Sequence, residues 1–171
     1  KYYLTYSANS YGDNTYLVAQ AVSDNVLGPY RKLTEAEGGI LLSGQMQGNP
    51  DVTGTGHHSF IAVGGKLYMI NGGFFRKADT VDKHLQGTMV SELSDPETMS
   101  GAAALISSAD TYYENGIMEG PFPFYSPNGT LYVIFAAGHT RTDEYCTGVM
   151  RFNGTESDSL QDASKWEKFS E

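Results

Sequence analysis

Apolar and polar residues alternate along this chain in short runs, and helical spacing is absent beyond a single turn. Three runs share one texture: "KYYLTYSA" from Lys1, "KLYMINGG" from Lys66 and "TLYVIFAA" from Thr130, with starts 65 and 64 residues apart. Alternation of this kind predicts half-buried strands. The second and third runs follow turn signals, "VGG" and "PNG", and ahead of each turn lies another apolar run, "HHSFIAV" and "GPFPFY". A further strand comes after each: "TYLVAQAVS", "GTMVSELS" and "EYCTGVMRF". Each unit then closes on a polar turn ("DNVLGPYRKL", "DPETMSG", "LQDASKWEKF"), with a fourth, outer strand expected. Only "SLQDASKW" suggests a turn of helix.

Four short antiparallel strands repeating at this length describe a β-propeller blade. A β-sandwich would account for the strands but not for their repeated order. The expected fold is therefore all-β, a single propeller domain or part of one, with blade units near 1–50, 51–115 and 116–171. About 2.6 units of 65 residues fit into 171 residues, whereas propellers close with about four or more. Bare blade faces need covering, so either self-association or additional blades must complete the ring.

Composition narrows the partners. The formal net charge is -9, with eleven Lys plus Arg, so the basic footprint of a nucleic-acid binder is missing. No apolar run of membrane-spanning length is present. A neutral carbohydrate is compatible with this charge. Cys146 is the sole cysteine and forms no internal disulfide. The sequons at Asn128 and Asn153 fit a secreted protein, but Asn-Gly is also a hairpin signal, and that reading carries more weight.

Two stretches carry candidate chemistry. "GTGHHSF" (54–60) puts adjacent histidines at a strand entry, where neighbouring side chains point to opposite faces. One of His57 and His58 is thus expected to face a site while the other packs. "IMEGPFPF" (117–124) places Glu119 among apolar residues, a setting that suits a proton-donating carboxyl group; a strand-starting glutamate is the plain alternative. His139 and Arg141, in "AAGHTRTDEY", are candidates for a channel mouth. Tyr112 and Tyr113 would suit a sugar-stacking platform or packing between blades.

Taken together, these stretches resemble family 43 of the glycoside hydrolases, five-bladed propellers that cleave arabinan and xylan side chains. "MEGPFPFYSPNGTLYVIFAAG" resembles the family's Glu-Gly-Pro segment, whose Glu is the general acid. "GTGHHSF", after "KYYLTYSANSYGDNTYLVAQAVSDNVLGPYRKL", resembles its channel-lining Gly-x-Gly-His. The resemblance implies Glu119 as general acid of an inverting glycosidase on arabinose- or xylose-containing plant polysaccharides. It implies His57 as the channel histidine at the substrate and a candidate ligand of a structural calcium ion in the channel. His139 and Arg141 are substrate-binding candidates from their loop context alone, where a plain loop histidine is the alternative. In the family the acid-bearing blade comes before the Gly-x-Gly-His blade; here His57 precedes Glu119. The family's catalytic Asp has no clear match: Asp51, Asp95 and Asp110 all fall outside its expected position. A non-catalytic carbohydrate-binding or structural propeller module is the competing reading.

Overall fold

The computed structural model describes residues 1–8, 16–43, 52–76 and 84–169. They form three antiparallel sheets in chain order. The first holds β1 (Tyr2–Ala8) and β2 (Leu17–Ser23), with β3 (Arg31–Lys32) and β4 (Ile40–Ser43) sharing the far edge of β2. The second holds β5 (Val52–Val63), β6 (Lys66–Arg76) and β7 (His84–Asp95), with β8 (Thr98–Met99) and β9 (Ala104–Ser108) sharing the far edge of β7. The third runs β10 (Met118–Tyr125), β11 (Leu131–Ala137), β12 (Cys146–Phe152), β13 (Trp166–Lys168).

The three look-alike runs are β1, β6 and β11, and each occupies the same place in its sheet. β5 and β10 open the second and third sheets. Among the described residues the first sheet has no counterpart to them, so β1 is an edge. The chain therefore carries two full four-position blades and most of another. In the first two sheets the fourth position is split into two short strands; in the first, the 3-10 turn Glu35–Glu37 separates them. Among the described residues the other one-turn 3-10 segments are Tyr112–Glu114 and Ala163–Lys165, the latter inside "SLQDASKW". The fold is all-β, built of propeller blades. No helix among the described residues is long and apolar enough to cross a membrane.

Turn chemistry sets the hairpins. Val63 pairs with Lys66 across Gly64-Gly65, both at positive φ (57° and 77°), the two-residue turn that suits the strand twist. Gly129 at φ 83° closes the next hairpin, where Asn128 Oδ1 accepts from Ser126 Oγ and the Thr130 N–H.

Period-2 alternation makes β6 buried on both faces. Tyr68 and Ile70 join Val90, Met118, Val133, Phe135, Met150 and Leu160 between the second and third sheets. Met69 joins Val18, Leu41, Leu42 and Leu93 between the first and second. Two apolar layers thus stack three sheets face to face, and β5 and β10, the opening strands of adjacent sheets, lie against each other. That contact builds the site.

Candidate active site

A cleft of about 410 Å³ lies where β5, β6 and β10 converge, with Glu119, His57, Gln86, Ser7, Tyr16 and Phe74 on its walls. Small-ligand sites are typically of about this size or larger.

Glu119 reaches it because of how β10 begins. The turn Tyr112–Glu114 is closed by the Glu114 carboxylate, which accepts the Thr111 N–H at 2.8 Å, and the Glu114 carbonyl accepts Ile117 N–H at 2.8 Å. Asn115 and Gly116 then turn the chain through positive φ (47° and 79°). Glu119 pairs with Ala136 and Phe122 with Ile134, so Gly120 and Pro121 together oppose one residue. This is a β-bulge, with Gly120 at φ 58°. Pairing resumes beyond the bulge and runs through Tyr125. Glu119 is half-buried; the Phe122 and Phe124 expected to enclose it are exposed.

β5 carries a matching bulge. Gly56 pairs with Gly72 and His58 with Asn71, leaving His57 as the extra residue at φ 46°. Simple alternation is interrupted at this point, and the bulge, not the pleat, separates the two histidines. His57 is exposed on the cleft wall, and its N–H donates to Ser7 Oγ at 3.3 Å, tying β1 to β5. His58 is half-buried and meets Phe60 edge-on at 5.8 Å. Burial pushes its imidazole below the usual histidine range; the neighbouring His57 adds to this and the Thr5 backbone opposes it.

Gln86 was not legible as a site residue. Its Nε2 donates to Glu119 Oε1 at 3.0 Å, and its Oε1 accepts the Met118 N–H at 2.8 Å. Nothing in the sequence of β7, HLQGTMVSELSD, sets Gln86 apart from its other polar residues. Tyr16 and Phe74, stacked at 6.1 Å and 22°, were missed as well. They form an aromatic wall that Tyr112 and Tyr113 do not. Tyr112 is 95% exposed, and Tyr113 Oη donates to the Phe169 carbonyl; neither lines the cleft.

His139 and Arg141 are exposed in the loop after β11, joined by the Arg141 N–H donating to His139 Nδ1. Ala137 pairs with Met118, so this loop leaves the sheet at the end where Glu119 enters. The two side chains are not among the residues lining the cleft. Asp51 lies outside the described residues. Asp95 is exposed. Burial pushes the Asp110 carboxyl up, but its contacts with Lys168 and Ser108 outweigh this and hold it below the usual range. That carboxylate is committed to an ion pair.

Among the described residues, Glu119 is the only carboxylate on the cleft wall. Among the described residues no group of three or more His, Cys, Asp or Glu side chains comes together to hold a metal. His57 would contribute a single nitrogen, so these residues do not fit a metal ion by themselves.

No protein-family model and no curated protein matches the sequence. Solved structures do. An α-L-arabinofuranosidase from Lactobacillus brevis superposes on 99% of this chain at TM-score 0.73 and 18% identity. A thermostable family-43 glycoside hydrolase covers 98% at TM-score 0.70 and 20% identity, and an endo-arabinase from Bacteroides thetaiotaomicron VPI-5482 covers 99% at 0.67 and 18%. The chain spans about half the length of these structures (50%, 50% and 57%). Its resemblance to family 43 is thus one of fold along the whole chain: it has the fold of about half of a family-43 glycoside hydrolase.

Proposed function

We propose that this chain is part of an inverting glycoside hydrolase acting on arabinose- or xylose-containing plant polysaccharides, with Glu119 as general acid. The observation that carries the reading is Glu119 itself: a half-buried carboxyl at a bulge, oriented by an amide, on the wall of a ligand-sized cleft shared with His57. Structural likeness to arabinan- and xylan-active enzymes supports the substrate class.

In this mechanism Glu119 gives its proton to the glycosidic oxygen as the bond to the anomeric carbon breaks, its electron pair going to that oxygen. Water adds to the anomeric carbon from the opposite face and yields a proton to a second carboxylate. Inversion places that base ~6.5–9.5 Å from the acid. No described residue of the cleft wall supplies that base, and further blades of a longer protein or a second copy are its proposed source. The terminal sheets are suited to such additions: Tyr2 and Leu4 on the first and Phe122 on the third are 47%, 45% and 56% exposed. His57 and the Tyr16–Phe74 stack contact the sugar, with His139 and Arg141 on the rim.

The test is hydrolysis of aryl α-L-arabinofuranosides and aryl β-xylosides, with the anomeric product followed by NMR. Inversion is expected, and retention would sink the mechanism. That the described residues put one carboxylate on the cleft wall favours one other reading, a carbohydrate-binding module. Calorimetric binding of arabino- or xylo-oligosaccharides without turnover, in a protein of closed-ring mass, would decide for it.

A further inference from the structure

The Gln86 amide has one possible orientation. Its oxygen accepts the Met118 backbone N–H, a group that only donates, so the nitrogen must be the end facing Glu119. That nitrogen also only donates. Glu119 Oε1 therefore acts as acceptor whether the carboxyl is charged or neutral. In a neutral carboxyl the carbonyl oxygen is the better acceptor, so the proton belongs on the other oxygen. Oε2 has no hydrogen-bond partner among the described residues, and Glu119 lines the cleft.

Gln86 is itself held on every side. Its N–H donates to the Gly116 carbonyl at 3.1 Å, and its own carbonyl accepts the Ala109 N–H at 2.9 Å. The residue is 9% exposed. Little further entropy is lost when it orients the carboxyl, because the side chain is already fixed.

We infer that Gln86 is a positioning residue that keeps Glu119 Oε1 as an acceptor and confines the transferable proton to Oε2, the oxygen with no partner among the described residues. The inference rests on Glu119 being the general acid. A neutral amide here does what a neighbouring carboxylate cannot: it orients the acid without adding a like charge beside it. Acid assistance matters most for basic leaving groups, so a misplaced proton penalises them selectively.

Two measurements test this, made on the same protein that is assayed for aryl glycoside hydrolysis. In Gln86→Leu, the ratio of kcat on a phenyl glycoside to kcat on a dinitrophenyl glycoside should fall at least about tenfold, with KM little changed. Equal losses on both substrates, or no loss, would overturn the inference. The second readout needs no activity. In the wild type one Gln86 side-chain amide proton should resonate away from free-amide positions and exchange slowly. It should keep that position in Glu119→Gln, whose amide oxygen replaces Oε1, and move to the free position in Glu119→Leu. A free Gln86 amide in the wild type overturns the inference whatever the activity. A held amide in a protein that cleaves neither glycoside overturns the glycosidase reading, and with it the catalytic role assigned to Gln86.

Discussion

The Lys168 ammonium lies 2.9 Å from Glu114 Oε2, and the Glu114 side chain is wholly buried. Lys168 also donates to Asp110 Oδ1 and the Ser108 carbonyl, both at 2.7 Å. The last strand, β13, is thereby fastened to the end of β9 and to the turn from which β10 departs. Removing the cation strands a carboxylate in the interior, which costs about 3–5 kcal/mol. Lys168→Met should therefore lower the denaturant midpoint severely, and adding Glu114→Gln should recover part of the loss. Asp110→Asn should cost under about 1 kcal/mol, because that carboxylate is 61% exposed. Equal effects from Lys168→Met and Asp110→Asn would show that the buried pair is not what holds the turn.

Glu119→Gln tests the acid directly. The replacement keeps the shape of the side chain and an oxygen to accept from Gln86 Nε2, so the thermal midpoint should move little. What disappears is the proton donor, and hydrolysis of phenyl glycosides should fall by about a hundredfold or more. Activity within a few-fold of the wild type would remove Glu119 from the mechanism.

How much of this was legible depended on the range of the interaction. The look-alike strands β1, β6 and β11 were readable because alternation and the Gly64-Gly65 and Asn128-Gly129 turns are local signals. The stacking of three sheets followed from β6 being apolar at Met69 as well as at Tyr68 and Ile70. The site was harder. Bulges at His57 and Gly120 change which way a side chain points without changing composition. Gln86 meets Glu119 from 33 residues away and Tyr16, just ahead of β2, meets Phe74 on the second sheet, contacts that exist only once blades pack. The splits of the fourth strands were missed because pieces of two to five residues leave too little periodicity to read.

Gly120 has a second role to check. A Cβ there would meet nothing within 4 Å, so the cost of Gly120→Ala is backbone strain alone at φ 58°. Gly129 is equally open at φ 83° but sits in a hairpin turn. Each substitution to Ala should cost about 1–2 kcal/mol. Only Gly120→Ala should also depress kcat, since its bulge aims Glu119. Matching activity losses in both variants would mean that the bulge does not set the acid's direction.

His58 gives the fold a pH dependence of definite sign. Burial, with His57 beside it, holds its imidazole below the usual value, so the folded protein favours the neutral ring. An unfolded chain takes up that proton near pH ~6.5, before the folded one does. Between the two values the unfolded state binds more protons, and stability rises with pH. The contribution is fully present above about pH 6.5 and is lost as the pH falls through the folded value. His58→Phe packs against Phe60 without titrating. The wild type's thermal midpoint should therefore drop more steeply than the variant's between about pH 7 and pH 5. The remaining slope belongs to groups both proteins share, so parallel curves would show that His58 is not held neutral by the fold.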